Sequence, residues 1–160
     1  MDLPTEGFAY DVVVVGGAGH VGLPLAVAFA SRGLKVCIYD INEKSVATIL
    51  GGELPFREDG AQVVLRQVLD DDSLTATTDD RVIGDAEHVV VVIGTPVDEH
   101  LNPDPHAVPK ALRAGRHHLR TGQLVVLRST VYPGVTKRVE KMLSDEMVHV
   151  DVAFCPERIA

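Results

Sequence analysis

Aromatic side chains are scarce in this chain, at 4% of 160 residues. A core of ordinary size must then be built from Val, Leu, Ile and Ala, which suits a parallel sheet covered by helices. Cysteine occurs only as Cys37 and Cys155. Two isolated thiols form no disulfide framework, and no metal-ligand spacing accompanies them. The N-terminus lacks a basic segment followed by an apolar run, so no signal peptide is expected. No hydrophobic stretch approaches the length of a membrane span. Basic clusters are missing too, and the formal net charge is −8. Such a chain is a poor partner for nucleic acid or an anionic membrane. A soluble, cytoplasmic protein is the expectation. Any phosphate it holds must be held mainly by backbone amides and a few local cations.

Hydrophobic residues make up 46% of the chain, which excludes disorder, and the length suffices for one domain with a core. Residues 1–10 read as a short polar tail, and residues 11–160 as the domain. Val12–Val15 form a buried strand, followed by a glycine turn and a helix-like run through Ala30. Lys35–Tyr39 is the next strand. Helices are expected from Asn42, as N-cap, to Leu50 and from Ala61 to Leu69. Short strands at Leu74–Thr77, His88–Ile93, Leu124–Leu127 and His149–Phe154 alternate with helices at Val108–Leu119 and Thr136–Leu143. Strands alternating with helices predict a Rossmann-type doubly wound parallel sheet, three layers deep. With the strand order usual for that class, 3-2-1-4-5-6, the loops after strands one, four, five and six converge on one rim. Ligands of open parallel sheets bind at that rim.

Gly17-Ala18-Gly19-His20-Val21-Gly22 follows the first strand. Each glycine has a mechanical reading. Gly17 permits the turn out of the strand, Gly19 lets a pyrophosphate approach the backbone, and Gly22 lets the helix pack close to the sheet. The amides that open the helix then face the phosphates with the positive dipole end behind them. Pro24 falls in the first turn, where a missing N–H costs little. His20 lies inside the loop, leaning over the pyrophosphate or packing beside it. Asp40 ends the second strand, where a carboxylate accepts hydrogen bonds from ribose hydroxyls and repels a 2′-phosphate. Ile41 follows where an arginine often marks an NADP site, so NAD is the cofactor expected. Lys44 is close enough to offer a phosphate a cation. The plainer alternative is a glycine-rich turn in some other α/β protein.

The remaining rim loops carry hydroxyls and charge. Gly94-Thr95-Pro96 reads either as a tight loop offering the Thr95 hydroxyl to a cofactor or as an ordinary strand-ending turn. In Arg128-Ser129-Thr130 the hydroxyls sit at a strand tip. A helix entry capped by Thr136 leaves Ser129 and Thr130 unexplained, so both are candidate ligand contacts. Cys155-Pro156-Glu157-Arg158 places a carboxylate beside the crevice. Glu157 is a candidate base or water-orienting group, with a surface ion pair to Arg158 as the alternative. Cys155 reads as packing rather than as a nucleophile. The His117-His118 pair, without a partner acid in register, reads as surface.

Taken in order, Gly17-Ala18-Gly19-His20-Val21-Gly22-Leu23-Pro24, Gly94-Thr95-Pro96 with Asn102-Pro103-Asp104, Ser129-Thr130-Val131 with Pro133-Gly134, and Pro156-Glu157-Arg158 resemble the N-terminal part of the UDP-glucose/GDP-mannose dehydrogenase family. The Cys-Pro-Glu-Arg ending resembles the branch acting on UDP-N-acetylhexosamines. The resemblance covers nearly all of residues 11–160. It implies an NAD-dependent, two-step oxidation of a nucleotide-sugar primary alcohol to a carboxylate. It also implies NAD held by the glycine loop and Asp40, with Thr95, Thr130 and Glu157 at the nicotinamide end. Thr130 and Glu157 then help to position the water that hydrolyses a thioester. Neither Cys37 nor Cys155 matches the family's nucleophile. The segments carrying its substrate domain and its long dimer-forming helix have no counterpart here. His20 stands where an aromatic residue is more usual. The expectation is a fragment of a larger enzyme that binds NAD(H), with a UDP-sugar as partner only of the full-length enzyme and a homodimer as its possible assembly.

Two other readings share the first βαβ unit. One is a stand-alone NAD(H)-sensing regulatory module, which has no need of the Thr130–Gly134 and Pro156–Arg158 motifs. The other is a dehydrogenase of the 6-phosphogluconate or hydroxyacyl-CoA type, which lacks the Gly94-Thr95-Pro96 loop with its Asn102-Pro103-Asp104 tail.

Overall fold

The computed structural model describes residues 7–56, 60–94, 104, 106–131, 133–145 and 149–156. The valine run forms β1 (Tyr10–Val15), and the chain then alternates as its hydrophobic periods predict. The elements are α1 (Gly22–Ala30), β2 (Val36–Tyr39), α2 (Glu43–Leu50), α3 (Ala61–Asp70), β3 (Leu74–Thr77), β4 (Ala86–Val91), α4 (Ala107–Gly115), β5 (Leu124–Leu127), α5 (Val135–Ser144) and β6 (Asp151–Phe154). The strands form one sheet in the order β3-β2-β1-β4-β5-β6. Every neighbouring pair is parallel.

The valines of β1 point alternately to the two faces, and both faces are covered. Val12 and Val14 pack with Leu23 and Ala26 of α1, Ile49 of α2 and Leu65 of α3. Val13 and Val15 pack with Leu112 of α4 and Val139 of α5. The Val12–Val15 part of β1, covered on both sides, has no polar positions, which is why it reads as an unbroken apolar run. Truncation of Ile38, fully buried in β2, to Ala costs about 2–5 kcal/mol by lost transfer energy and the cavity left behind.

Local chemistry sets the element ends. The Asn42 side chain accepts from the Ser45 N–H at 3.1 Å and caps α2, as expected. At the opposite end of the sheet the fully buried Gln123 donates to the Ile83 carbonyl at 2.7 Å and to that of Ala86. Gln123 thereby ties the start of β5 to a 3-10 helix at Asp80–Asp85.

Several expectations are corrected. Tyr10 belongs to the sheet rather than to the tail, paired with Ala86. β4 runs from Ala86 to Val91 rather than from His88 to Ile93, so Ile93 already belongs to the rim. The helix expected over Val108–Leu119 is α-helical only to Gly115 and finishes as a 3-10 turn at Arg116–His118. Gly115 packs against Ile83 so closely that an added Cβ would lie 2.7 Å from its Cδ1. His118 is not without an acid: its Nε2 lies 3.1 Å from Asp80 Oδ1, an acid brought from another element and invisible to helical spacing. The cap of α5 is Gly134, at φ +92°, and not Thr136, which falls inside the helix. Cys155 is exposed rather than packed, because β6 is an edge strand.

Candidate functional site

The loops after β1, β2, β4 and β5 enclose a cleft of about 740 Å³ at the carboxyl end of the sheet. The first loop forms its floor. Gly16 takes φ +77°, so the turn out of β1 is made one residue earlier than the motif suggests. Gly17 is a glycine for lack of room. A Cβ there would lie 2.7 Å from the Val14 carbonyl oxygen and 2.9 Å from Ile38 Cγ2. Gly17 is buried under the turn and does not line the cleft. A Cβ on Gly22 would lie 2.6 Å from Gly17 Cα, which brings the first turn of α1 onto the loop itself. Gly19 is the opposite case: it is exposed, and an added Cβ would meet only the Gly16 carbonyl oxygen, at 3.8 Å. Gly19 therefore leaves a bare stretch of backbone on the cleft floor.

No side chain caps the N-terminus of α1, and its first turn carries no acid. Helix N-terminal amides without a protein partner are satisfied by water or by a ligand, and the dipole favours an anion there. Asp40 is fastened to the same loop. Its Oδ2 accepts from the Ala18 N–H at 3.0 Å and its Oδ1 from the Asn42 N–H at 3.0 Å. These two bonds aim the carboxylate into the cleft while leaving acceptor capacity on both oxygens. Ile41, 84% exposed, continues the wall as an apolar surface open to solvent. Burial, with the charges of Asp80, Asp40 and Asp79 behind it, raises the pKa of Tyr39, so this cleft-lining phenol stays neutral.

Of the other predicted residues, His20, Val21, Gly94, Ser129 and Thr130 line the cleft. The His20 ring stacks on Phe56 at 4.1 Å between centroids, so it packs beside the loop. Ser129 is buried and donates its hydroxyl to the Ile93 carbonyl at 2.8 Å. That bond holds the β4 and β5 loops together, and exposed Thr130 presents the free hydroxyl of the pair. Lys44 sits exposed on α2 and does not line the cleft. Thr95, Pro96, Glu157 and Arg158 lie outside the described residues.

The far wall was missed from sequence. Ala107, Ala111 and Ala114 of α4 line the cleft, with Lys110 between them. Topology signals this wall, since the helix after β4 starts at the rim. The spacing of the alanines, one face of a helix, agrees. At the β5 end Arg128 also lines the cleft and donates through Nη1 to the Cys155 carbonyl at 3.3 Å. Among the described residues no group of His, Cys, Asp and Glu is arranged to hold a metal ion. None of the described helices is long and apolar enough to cross a membrane.

A parallel sheet of this order, with a glycine loop, an uncapped helix start and an acid at the second strand's tip, defines a dinucleotide-binding domain. Residues 11–160 match the model of the UDP-glucose/GDP-mannose dehydrogenase family, NAD binding domain, and the chain belongs to that family. Its cofactor is NAD. A UDP-N-acetyl-D-mannosamine dehydrogenase of Campylobacter jejuni is 32% identical over 94% of this chain, and the match takes in 39% of that protein. The Escherichia coli K12 enzyme of the same name is 31% identical, with 38% of its length matched. Among solved structures, GDP-mannose dehydrogenase of Pseudomonas aeruginosa superposes with a TM-score of 0.84 at 26% identity, over 94% of this chain and 36% of that one. The UDP-D-ManNAc dehydrogenase of Pyrococcus horikoshii gives 0.84 at 29%, over 93% and 36%. The chain thus spans under two fifths of the length of these relatives. A 3-hydroxyisobutyrate dehydrogenase of Mycobacterium tuberculosis shares the fold alone, at 11% identity and a TM-score of 0.65.

Proposed function

We propose that this chain is the cofactor-holding part of a nucleotide-sugar 6-dehydrogenase, which takes the primary alcohol of a UDP-sugar to the uronate in two NAD-dependent steps. The observation that carries the reading is the pairing of an uncapped α1 N-terminus and a bare Gly19 with an Asp40 carboxylate bonded to the same loop. Gly19, His20, Val21 and Gly22 hold the diphosphate, with the positive end of α1 behind them. Asp40 accepts from the adenosine ribose hydroxyls, and Ile41 offers an apolar surface to the adenine. Gly94, Thr95, Pro96, Ser129 and Thr130 border the nicotinamide end. When bound, NAD supplies the hydride acceptor. Thr130 and Glu157 orient water beside that ring but contribute no nucleophile. Gly17 acts through packing and Lys44 stays peripheral.

The chain alone binds NAD(H) and does not oxidise a UDP-sugar. Its working form is cytoplasmic and has a homodimer as its candidate assembly. Calorimetric titration with NADH, followed by an absorbance assay with NAD and a UDP-sugar, tests both halves. Binding heat without NADH production is the expected result. Absence of heat on folded protein refutes the first half, and steady NADH production the second.

A further inference from the structure

We propose that Lys110 is a specificity-determining residue of the cleft, and that it makes a 2′-phosphorylated dinucleotide, NADP(H), a second and weaker ligand of this chain. The inference rests on the reading of the cleft as a dinucleotide site. The cleft is lined by Asp40 and Ile41 at the tip of β2 and by Ala107, Lys110 and Ala111 in the first turns of α4. Among its lining residues Asp40 is the one carboxylate and Lys110 the one ammonium, with the Arg128 guanidinium contributed by the end of β5.

The two charges do not neutralise each other. Each oxygen of Asp40 accepts one backbone N–H, and among the described residues no cation pairs with it. Lys110 has its main-chain N–H bonded to the His106 carbonyl at 2.8 Å. Among the described residues no acid lies within ion-pair distance of its ammonium. A strongly hydrated ammonium on a flexible stem, without an acid partner among the described residues, is available to an anionic group of the ligand. Both forms of the dinucleotide carry the diphosphate, which the glycine loop serves. The one anionic group that distinguishes them is the 2′-phosphate, and it arrives on the ribose that Asp40 faces. Asp40 alone repels that phosphate. Lys110, on the α4 wall of the same cleft, opposes the repulsion. Lys44, the cation that sequence places beside Asp40, does not line the cleft, which leaves the compensating role to Lys110.

The test is to titrate NADH and NADPH separately into the full chain and into Lys110→Met, reading nucleotide fluorescence. Methionine keeps an unbranched stem at an exposed helix position, and circular dichroism verifies the fold. The wild-type chain is expected to bind both, NADPH the more weakly. Lys110→Met is expected to weaken NADPH by roughly tenfold or more, the size of a lost charged hydrogen bond, while NADH changes by less than about threefold on the same scale. Asp40→Asn is expected to narrow the gap between the two ligands. NADH binding without NADPH binding overturns the proposal and leaves the dinucleotide reading intact. Equal losses for both ligands, or no loss for either, also overturn it. Failure of NADH itself to bind removes the dinucleotide reading and this proposal together.

Discussion

Gly19 and Gly22 belong to one loop, yet the structure assigns them different costs on substitution. A methyl group on Gly22 lands 2.6 Å from Gly17 Cα, 2.9 Å from the Gly16 carbonyl oxygen and 3.0 Å from Gly17 C. All three are backbone atoms, so the start of α1 has to move away from the turn. Overpacking of that kind costs about 1–3 kcal/mol. For a domain of this size each kcal/mol lowers Tm by roughly 2–4 °C, so Gly22→Ala is expected to lose on the order of 2–12 °C. A methyl on Gly19 meets only one atom, at ordinary contact distance. Gly19→Ala is therefore expected to leave stability within about 0.5 kcal/mol of the parent. Its methyl instead occupies the bare floor over which a diphosphate has to lie. Affinity for NADH is expected to fall roughly 10- to 100-fold, the size of one or two lost charged hydrogen bonds. Thermal unfolding by circular dichroism reads the first effect and NADH titration the second. The chain contains no tryptophan, so nucleotide fluorescence is read free of indole emission. If Gly19→Ala unfolds as early as Gly22→Ala while binding NADH normally, the division of labour in this loop is wrong.

Other consequences are independent of the loop. Ser129→Ala removes the hydroxyl that Ile93 accepts at 2.8 Å; a loss of about 1 kcal/mol is expected in denaturant unfolding. Burial, helped by the charge of Asp85, pushes the Cys37 thiol up to about 12 from 9.0. The folded protein keeps that proton while the unfolded chain releases it. This contribution to stability is thus complete below pH 9.0 and is lost as pH rises through about 12, at up to about 1.4 kcal/mol per pH unit. Comparing unfolding free energies of the parent and Cys37→Ala across that window reads it together with the part of the Tyr10 shift that the Cys37 charge causes, while Tyr39 titrates alike in both proteins. A steeper fall in the variant contradicts the assignment. Hydrogen bonds from Arg81 hold the Asp79 carboxyl down at about 2. Its NMR titration midpoint is expected near that value, and Arg81→Ala is expected to return it toward 3.8.

The layered sheet was legible because its signals are local and repeated. Val12–Val15 spell a strand covered on both sides, and the glycine spacing with Asp40 states what the next loop does. The details that escaped depend on contacts between elements. Gly16 rather than Gly17 takes the left-handed turn, because Gly17 is needed under Ile38. Ser129 spends its hydroxyl on Ile93, a residue of a neighbouring loop. The α4 wall was invisible because alanines and one lysine on a helix read as an unremarkable amphipathic surface. Only the position of α4 directly after β4 turns that surface toward the cleft. Asp80 finds His118 across two 3-10 turns, a pairing that no spacing rule within one helix describes.

The claim that the cleft floor holds the diphosphate of NAD is tested most directly by following backbone amides in a ¹H–¹⁵N NMR titration with NAD. The largest shifts are expected at Gly19, His20, Val21 and Gly22, joined by Asp40, Ile41 and the first turns of α4. Shifts gathered instead on the small apolar groove between α1 and α3, lined by Val27, Leu54 and Val64, with the glycine loop unmoved, would contradict it.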